Sequence, residues 1–318
     1  MDNSDLGPRW DYVWLSNHEV EAFAYSPSGK WKLVSAYTYH TSTAARTTDP
    51  LFTNELLKDN LGANDVGWTL SPDGTELLGE DPANGRDCVF RNRHLACEAQ
   101  GMAQFAPVWL DNSRWVGMEN DPNGSVEMGF NDTVGHRQRF TFDRIRAPGD
   151  DHALLIGAKR DGNLVIGRWP FFQANRMVHI ITCLPAANAP VTDNIVKLPA
   201  GTSIGQENFD LAYPFLSPDG RHIAWPLNCD LRSPGHYPQW IQRMPFARLL
   251  WRLNGQSNPD EALWISNADG SHMRLAGSWN SSSGDAVSNL QWLPDSRHIS
   301  FTRTNGRLYM VDLGNRVD

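Results

Sequence analysis

One short string recurs along this chain and constrains its fold more than any other feature. Ala24-Tyr25-Ser26-Pro27-Ser28-Gly29-Lys30, Thr69-Leu70-Ser71-Pro72-Asp73-Gly74-Thr75, Phe215-Leu216-Ser217-Pro218-Asp219-Gly220-Arg221 and Gln291-Trp292-Leu293-Pro294-Asp295-Ser296-Arg297 are variants of it. Val108-Trp109-Leu110-Asp111-Asn112-Ser113-Arg114 is a degenerate fifth copy. Pro presets φ at one turn position, Asp accepts hydrogen bonds from nearby backbone N–H groups, and Gly supplies positive φ. Each copy is followed by a short apolar run: Leu33-Val34-Ser35-Ala36, Glu76-Leu77-Leu78-Gly79, Trp115-Val116-Gly117-Met118, His222-Ile223-Ala224-Trp225 and His298-Ile299-Ser300-Phe301. An apolar run, this turn and a second apolar run make a β-hairpin. A sixth copy keeps the outline without the string, with 140–145 as first strand, Pro148-Gly149-Asp150-Asp151 as turn and 153–157 as second strand.

Second hairpins lie between these. Ala262–Ser266 and Met273–Ala276 flank the turn Asn267-Ala268-Asp269-Gly270-Ser271, and Cys88-Val89-Phe90 and Leu95-Ala96-Cys97 flank Asn92-Arg93. Six units of four strands predict an all-β, six-bladed β-propeller. The turn positions Pro27, Pro72, Leu110 and Pro148 are spaced by about 40 residues, the length of one blade. Wider gaps to Pro218 and Pro294 place insertions in the fourth and fifth blades, at about 161–175 and 228–260, on one face of a single domain spanning 1–318. The last unit ends with Leu308-Tyr309-Met310-Val311-Asp312, a third strand, while Trp10–Leu15 precedes the first hairpin without a partner. The N-terminal strand is therefore expected to close the ring by completing the last blade, which removes an exposed edge. The 26 Gly, 20 Pro and 13 Trp agree with a turn-rich β protein rather than a helical one.

At these residues the chain resembles the TolB-type six-bladed β-propellers. Their repeat reads Ser-Pro-Asp-Gly, a basic residue, any residue, Ile-Ala-Phe, then a strand and an Asn-Ala-Asp-Gly turn, matched by 217–225 and 264–271. The likeness covers nearly the whole chain, and it extends to the propellers that precede the hydrolase domain of prolyl-oligopeptidase-type enzymes. No Gly-x-Ser-x-Gly elbow follows Pro294, so that hydrolase domain is not expected here. The resemblance implies a propeller fold and favours export, while such propellers serve as protein-docking platforms, sugar lyases and peptidase gates alike. Met1-Asp2-Asn3-Ser4-Asp5 carries no leader pattern, so export is expected only if the chain is a processed form, and a cytoplasmic location otherwise.

Asp and Glu number 36 against 28 Lys and Arg, a formal charge of −8, which argues against the phosphate backbone of nucleic acid as partner. No run approaches the ~18 apolar residues of a membrane-spanning helix, so a soluble chain without membrane insertion is expected.

In a propeller, the loops joining the second to the third strand of each blade gather around one mouth of the channel. Glu80-Asp81-Pro82-Ala83-Asn84-Gly85 and Glu119-Asn120-Asp121-Pro122-Asn123-Gly124 are repeated acidic turns there, either solvated corners or a carboxylate rim formed by Glu80, Asp81, Glu119 and Asp121. The fourth blade contributes Arg168, Trp169, Phe171 and Phe172. The fifth contributes Arg232, Tyr237, Trp240, Arg243 and Trp251, with Arg248 and Arg252. Aromatic residues interleaved with Arg have the composition of interaction surfaces, although the same residues could simply pack a long loop onto the ring. His222 and His298 occupy one repeat position and are expected to be exposed, and no local spacing of the ten His marks a metal site. No metal or cofactor is assigned.

Cys88 and Cys97 face one another if Asn92-Arg93 is a two-residue turn, which makes a bridge conceivable; two reduced thiols are the other reading. The residues point to a non-catalytic module that binds a protein or an extended ligand, a polysaccharide included. The alternative is a channel-centred carbohydrate lyase or hydrolase using the rim carboxylates or an assembled metal site.

Overall fold

A computed structural model describes residues 10–25, 33–43, 45–47, 69–81, 86–91, 94–97, 108–120, 126–133, 136–141, 151–170, 177–186, 189–204, 213–229, 261–279, 287–303 and 306–314. Their regular elements are all strands, paired antiparallel in six small sheets. Sheet one holds β1 (Trp10–Trp14), β2 (Glu19–Tyr25), β3 (Leu33–His40) and β4 (Ala45–Thr47). Sheet two holds β5 (Thr69–Leu70), β6 (Leu77–Asp81), β7 (Arg86–Arg91) and β8 (His94–Cys97). Sheet three holds β9 (Val108–Trp109), β10 (Arg114–Asn120), β11 (Val126–Asp132) and β12 (Arg137–Thr141). Sheet four holds β13 (Asp151–Ala158), β14 (Leu164–Pro170), β15 (Met177–Cys183) and β16 (Val191–Lys197). In sheet five, β17 (Thr202–Ile204) and β18 (Phe215–Leu216) pair with opposite ends of β19 (His222–Cys229), followed by β20 (Glu261–Asn267) and β21 (Arg274–Trp279). Sheet six holds β22 (Val287–Trp292), β23 (His298–Arg303) and β24 (Leu308–Asp312).

The first strands of successive sheets stand side by side, β1 by β5, β5 by β9, β9 by β13 and β13 by β18. Trp292 Nε1 of β22 then donates to Phe215 O of β18 at 3.4 Å, and Gln291 Nε2 to Tyr12 O of β1 at 2.6 Å, which returns the sequence of sheets to its start. This is a β-propeller with each sheet as a blade. Trp109 repeats the Trp292 contact, donating its indole N–H to Thr69 O at 3.1 Å.

Three expectations need correction. Among the described residues the ring has five blades of four or more strands and a three-stranded sixth sheet, rather than six four-stranded blades. The N-terminal strand β1 pairs with β2, Trp10 opposite Ala24 through Trp14 opposite Val20, and so belongs to the first blade and not the last. Closure is made by side chains. The Tyr12 hydroxyl shares a 2.8 Å hydrogen bond with Ser300 Oγ and donates to Asn289 O at 2.7 Å, Trp14 Nε1 donates to Ser300 Oγ at 2.7 Å, and Asp295 N donates to Asn17 Oδ1 at 3.1 Å. Finally, β12 and β13 lie in different blades, so 140–157 is not a hairpin. Blade four instead turns at Lys159-Arg160-Asp161-Gly162-Asn163, between β13 and β14.

The turns between first and second strands show why the repeated string has its letters. Ser71 and Ser217 are buried, and each hydroxyl donates to the turn Asp while accepting the N–H five residues on, from Glu76 at 2.9 Å and His222 at 3.0 Å. Gly74 and Gly220 both sit at φ +75°, where a side chain is disfavoured. In blade six, Ser296 takes the glycine place at φ +57°, and its Oγ accepts the backbone N–H of Asp219 in the neighbouring turn at 3.0 Å. The serine gives up backbone ease for a contact between blades. The first string, by contrast, is out of phase: Ser26-Pro27-Ser28-Gly29 falls between β2 and β3, outside the described residues.

The turn carboxylates set an expected pH response. Hydrogen bonds to Asp73, from Ser71 foremost, and to Asp161, from the Asn163 N–H foremost, hold both below the usual carboxylate range. Asp111 and Asp295 are raised by burial but lowered further by bonds from Arg114 and Ser113, and from Arg297 and His298. Depressed folded pKa values mean that the unfolded chain binds protons first on acidification. Their stabilisation is present above the unfolded value of about 4 and is lost as pH falls through the folded values. Urea midpoints measured from pH 7 to pH 3 are expected to drop most steeply below about pH 4. A flat profile there would refute the part given to these turns.

Candidate functional site

Adjacent strands of a blade run in opposite directions. The turns between strands one and two and between three and four therefore lie on one face, and the connections between strands two and three lie on the other. The first face is built of short, self-bonded turns whose Asp groups are occupied by their own backbone. The second face carries the connections expected to hold the functional residues.

Arg168 and Trp169 lie near the end of β14, so 164–170 is strand rather than insertion. Consecutive strand residues point to opposite sides. Trp169 accordingly turns inward, is only 5% exposed, and joins the largest apolar cluster. It fills the space left by Gly167, where an added Cβ would stand 2.8 Å from the indole. It is a core residue and not an exposed anchor. Arg168 faces the other way, with Nη2 3.8 Å from Asp193 Oδ2, and Asp193 Oδ1 is 3.0 Å from His179 Nδ1. This row of Arg, carboxylate and imidazole crosses three strands and was not legible from sequence spacing.

Glu80 and Asp81 are the last residues of β6, and Glu119 is next to last in β10, at the matching place of the adjacent blade. Asp81 pairs with Arg86 and Glu119 with Glu127 across their hairpins, so both acidic turns do join second to third strands. Asp121, Phe171, Phe172, Arg232, Tyr237, Trp240, Arg243 and Trp251 lie outside the described residues, as does the 230–260 connection.

What the described residues add on this face is an aromatic column at the seam of blades five and six. Trp279, the last residue of β21, stacks on Phe301 of β23 with ring centroids 6.3 Å apart and planes within 16°. Phe301 stacks on Tyr309 of β24 at 5.6 Å and 13°, and the Arg303 guanidinium lies 4.8 Å from the Tyr309 ring centre. The Trp279 indole donates to Glu261, a buried carboxylate at the start of β20. Phe301 is buried, while Trp279, Tyr309 and Arg303 are half-buried. Phe301, Arg303 and Tyr309 come from one hairpin, in which Phe301 pairs with Tyr309, whereas Trp279 is brought to them from the preceding blade.

Besides His179, three of the described histidines are held by carboxylates. His40 pairs with Glu19 at 2.9 Å, His136 with Asp132 at 2.8 Å and His298 with Asp295 at 2.6 Å. Against expectation His222 is buried, because β19 is covered on both sides by β17, β18 and β20; burial pushes its pKa down, so it is neutral at pH 7. His298 is also largely covered, its side chain 23% exposed. Among the described residues no three His, Cys, Asp or Glu side chains converge as metal ligands, and no helix is long and apolar enough to cross a membrane. Burial raises the Cys183 thiol to about 11. Gly201-Thr202-Ser203-Ile204-Gly205 matches Gly-x-Ser-x-Gly in letters, but Thr202–Ile204 is a strand paired with β19 and not a strand-to-helix elbow.

The fold places this chain in the class of β-propellers. No family model matches it, and no curated protein is similar to it. Among solved structures it is similar to prolyl oligopeptidase B from Galerina marginata, at 9% identity and TM-score 0.43, over 96% of this chain and 49% of that one. The β-propeller domain of the Trilobed protease from Pyrococcus furiosus gives 13% and 0.43, over 93% and 78%. A protein from Lactobacillus plantarum gives 12% and 0.47, over 93% and 81%. The chain thus spans about half the length of the Galerina peptidase. Sheet order and register, not these likenesses, define the propeller.

Proposed function

We propose that the chain is a non-catalytic docking platform of the TolB type, which binds a protein or an extended ligand on the face where second and third strands are joined. The observation that carries this reading is the column in which half-buried Trp279 and Tyr309 stack on buried Phe301, with Arg303 across its outer ring. It lies on the face that also bears the Arg- and Trp-rich 230–260 connection. Stacked aromatic rings beside a guanidinium offer large apolar area at small entropic loss, the pattern of binding hot spots. The TolB-type assignment rests on the strings 217–225 and 264–271.

The test is capture from a soluble extract and from a panel of polysaccharides on immobilised full-length chain. Trp240→Ala and Trp279→Ala are each expected to weaken capture at least tenfold with an unchanged circular dichroism spectrum, and Asp161→Asn on the opposite face is expected to leave it intact. Capture indifferent to both tryptophan substitutions, or turnover of a captured polysaccharide, would overturn the reading.

A further inference from the structure

The hairpin of β7 and β8 pairs Arg91 with His94, Phe90 with Leu95, Val89 with Ala96 and Cys88 with Cys97. Two of the chain's four cysteines therefore stand directly opposite one another at the last ladder position of this hairpin. Directly opposed residues of an antiparallel pair have Cα atoms about 4.5 or 5.5 Å apart, depending on the hydrogen-bonding position. Both spacings lie within the roughly 4.4–6.8 Å that a disulfide spans. In their own ladders Cys183 lies opposite Leu164 and Val191, and Cys229 opposite Thr202.

We propose that Cys88 and Cys97 form a cross-strand disulfide that staples β8, the outermost strand of the second blade, to β7. A sheet's edge strand is bonded on one side only and is the strand most easily lost. β8 has four residues, so a covalent link at its far end holds the whole strand against fraying. The bond forms by exchange with a small-molecule disulfide. One cysteine thiolate attacks it, releasing one small thiol and leaving a mixed disulfide, and the second thiolate then displaces the other small thiol. The two protein thiols give up two electrons and two protons, and the small disulfide takes them up. Cys183 is a poor competitor, being buried as the thiol while the thiolate is the attacking species. The inference stands apart from the docking proposal, because it depends only on the register of one hairpin.

The test uses the unmodified full-length chain, equilibrated in a buffer of oxidised and reduced glutathione, quenched with acid, unfolded and alkylated with iodoacetamide. Arg91 and Arg93 lie between the two cysteines, so trypsin separates them. The expected result is a linked pair of peptides, 87–91 and 94–114, that parts on reduction, with Cys183 and Cys229 alkylated. Alkylated Cys88 and Cys97 in separate peptides, or either one joined to another cysteine or to glutathione, would overturn the proposal. As a second reading, a reductant is expected to lower the wild-type Tm by about 5 °C and to leave Cys88→Ser unmoved. An equal response from Cys88→Ser would also count against the staple.

Discussion

Replacing Gly270 by alanine is expected to destabilise the protein by about 2–4 kcal/mol, the sum of left-handed backbone strain and overpacking. Gly270 sits at φ +83° in the turn between β20 and β21, and a Cβ built there would stand 2.1 Å from Cγ2 of Val196 in the neighbouring blade. Valine is stiff about χ1 and cannot swing aside. Two further close approaches line the same seam: a Cβ at Gly157 would meet Leu216 Cβ at 2.5 Å, and one at Gly220 would meet the Lys159 Cα at 3.1 Å. Gly162 provides the comparison. It has the same φ of +83° but nothing within 4 Å of its would-be Cβ, so Gly162→Ala should carry the backbone strain alone, about 1 kcal/mol. Urea unfolding of the two variants separates the contributions. Equal losses would mean that the blades do not meet at Gly270 as closely as described.

Ser300→Ala should lower stability by about 2–3 kcal/mol although it removes a single oxygen atom. That oxygen is fully buried, accepts the Trp14 indole N–H at 2.7 Å and bonds the Tyr12 hydroxyl at 2.8 Å. Without it the indole N–H is left in the core without an acceptor, while Tyr12 keeps its bond to Asn289 O. An orphaned buried donor loses hydration with nothing in return, which accounts for about 1–3 kcal/mol. Removing the donor as well should return part of the loss: Trp14→Phe with Ser300→Ala is expected to be less destabilised than the two single effects added, by about 1 kcal/mol. Additive losses in urea unfolding would show that the closure does not depend on this pair.

Much of the blade architecture was legible because its determinants are local. Ser-Pro-Asp-Gly and Asn-Ala-Asp-Gly carry their turn chemistry within a few residues, and the turns at 71–74, 217–220 and 267–271 form as read. The facing of Cys88 and Cys97 followed from counting outward from a two-residue turn. Where the letters were lost, the reading slipped. Lys159-Arg160-Asp161-Gly162-Asn163 lacks Ser and Pro, yet its Gly162 N–H bonds Lys159 O at 2.9 Å just as Gly74 bonds Ser71 at 2.8 Å.

Turn positions, strand periodicity and the pairing of neighbouring strands thus belong to the sequence, since each depends on φ preferences and hydrogen bonds a few residues apart. The closure of β1 on the last blade, the inward turn of Trp169 and the docking of Trp279 on Phe301 belong to the tertiary structure. They depend on which blade comes to rest against which, through contacts such as Tyr12 with Asn289, 277 residues away. Nothing in the neighbouring letters encodes such a contact, because its free energy comes from burying both partners at once.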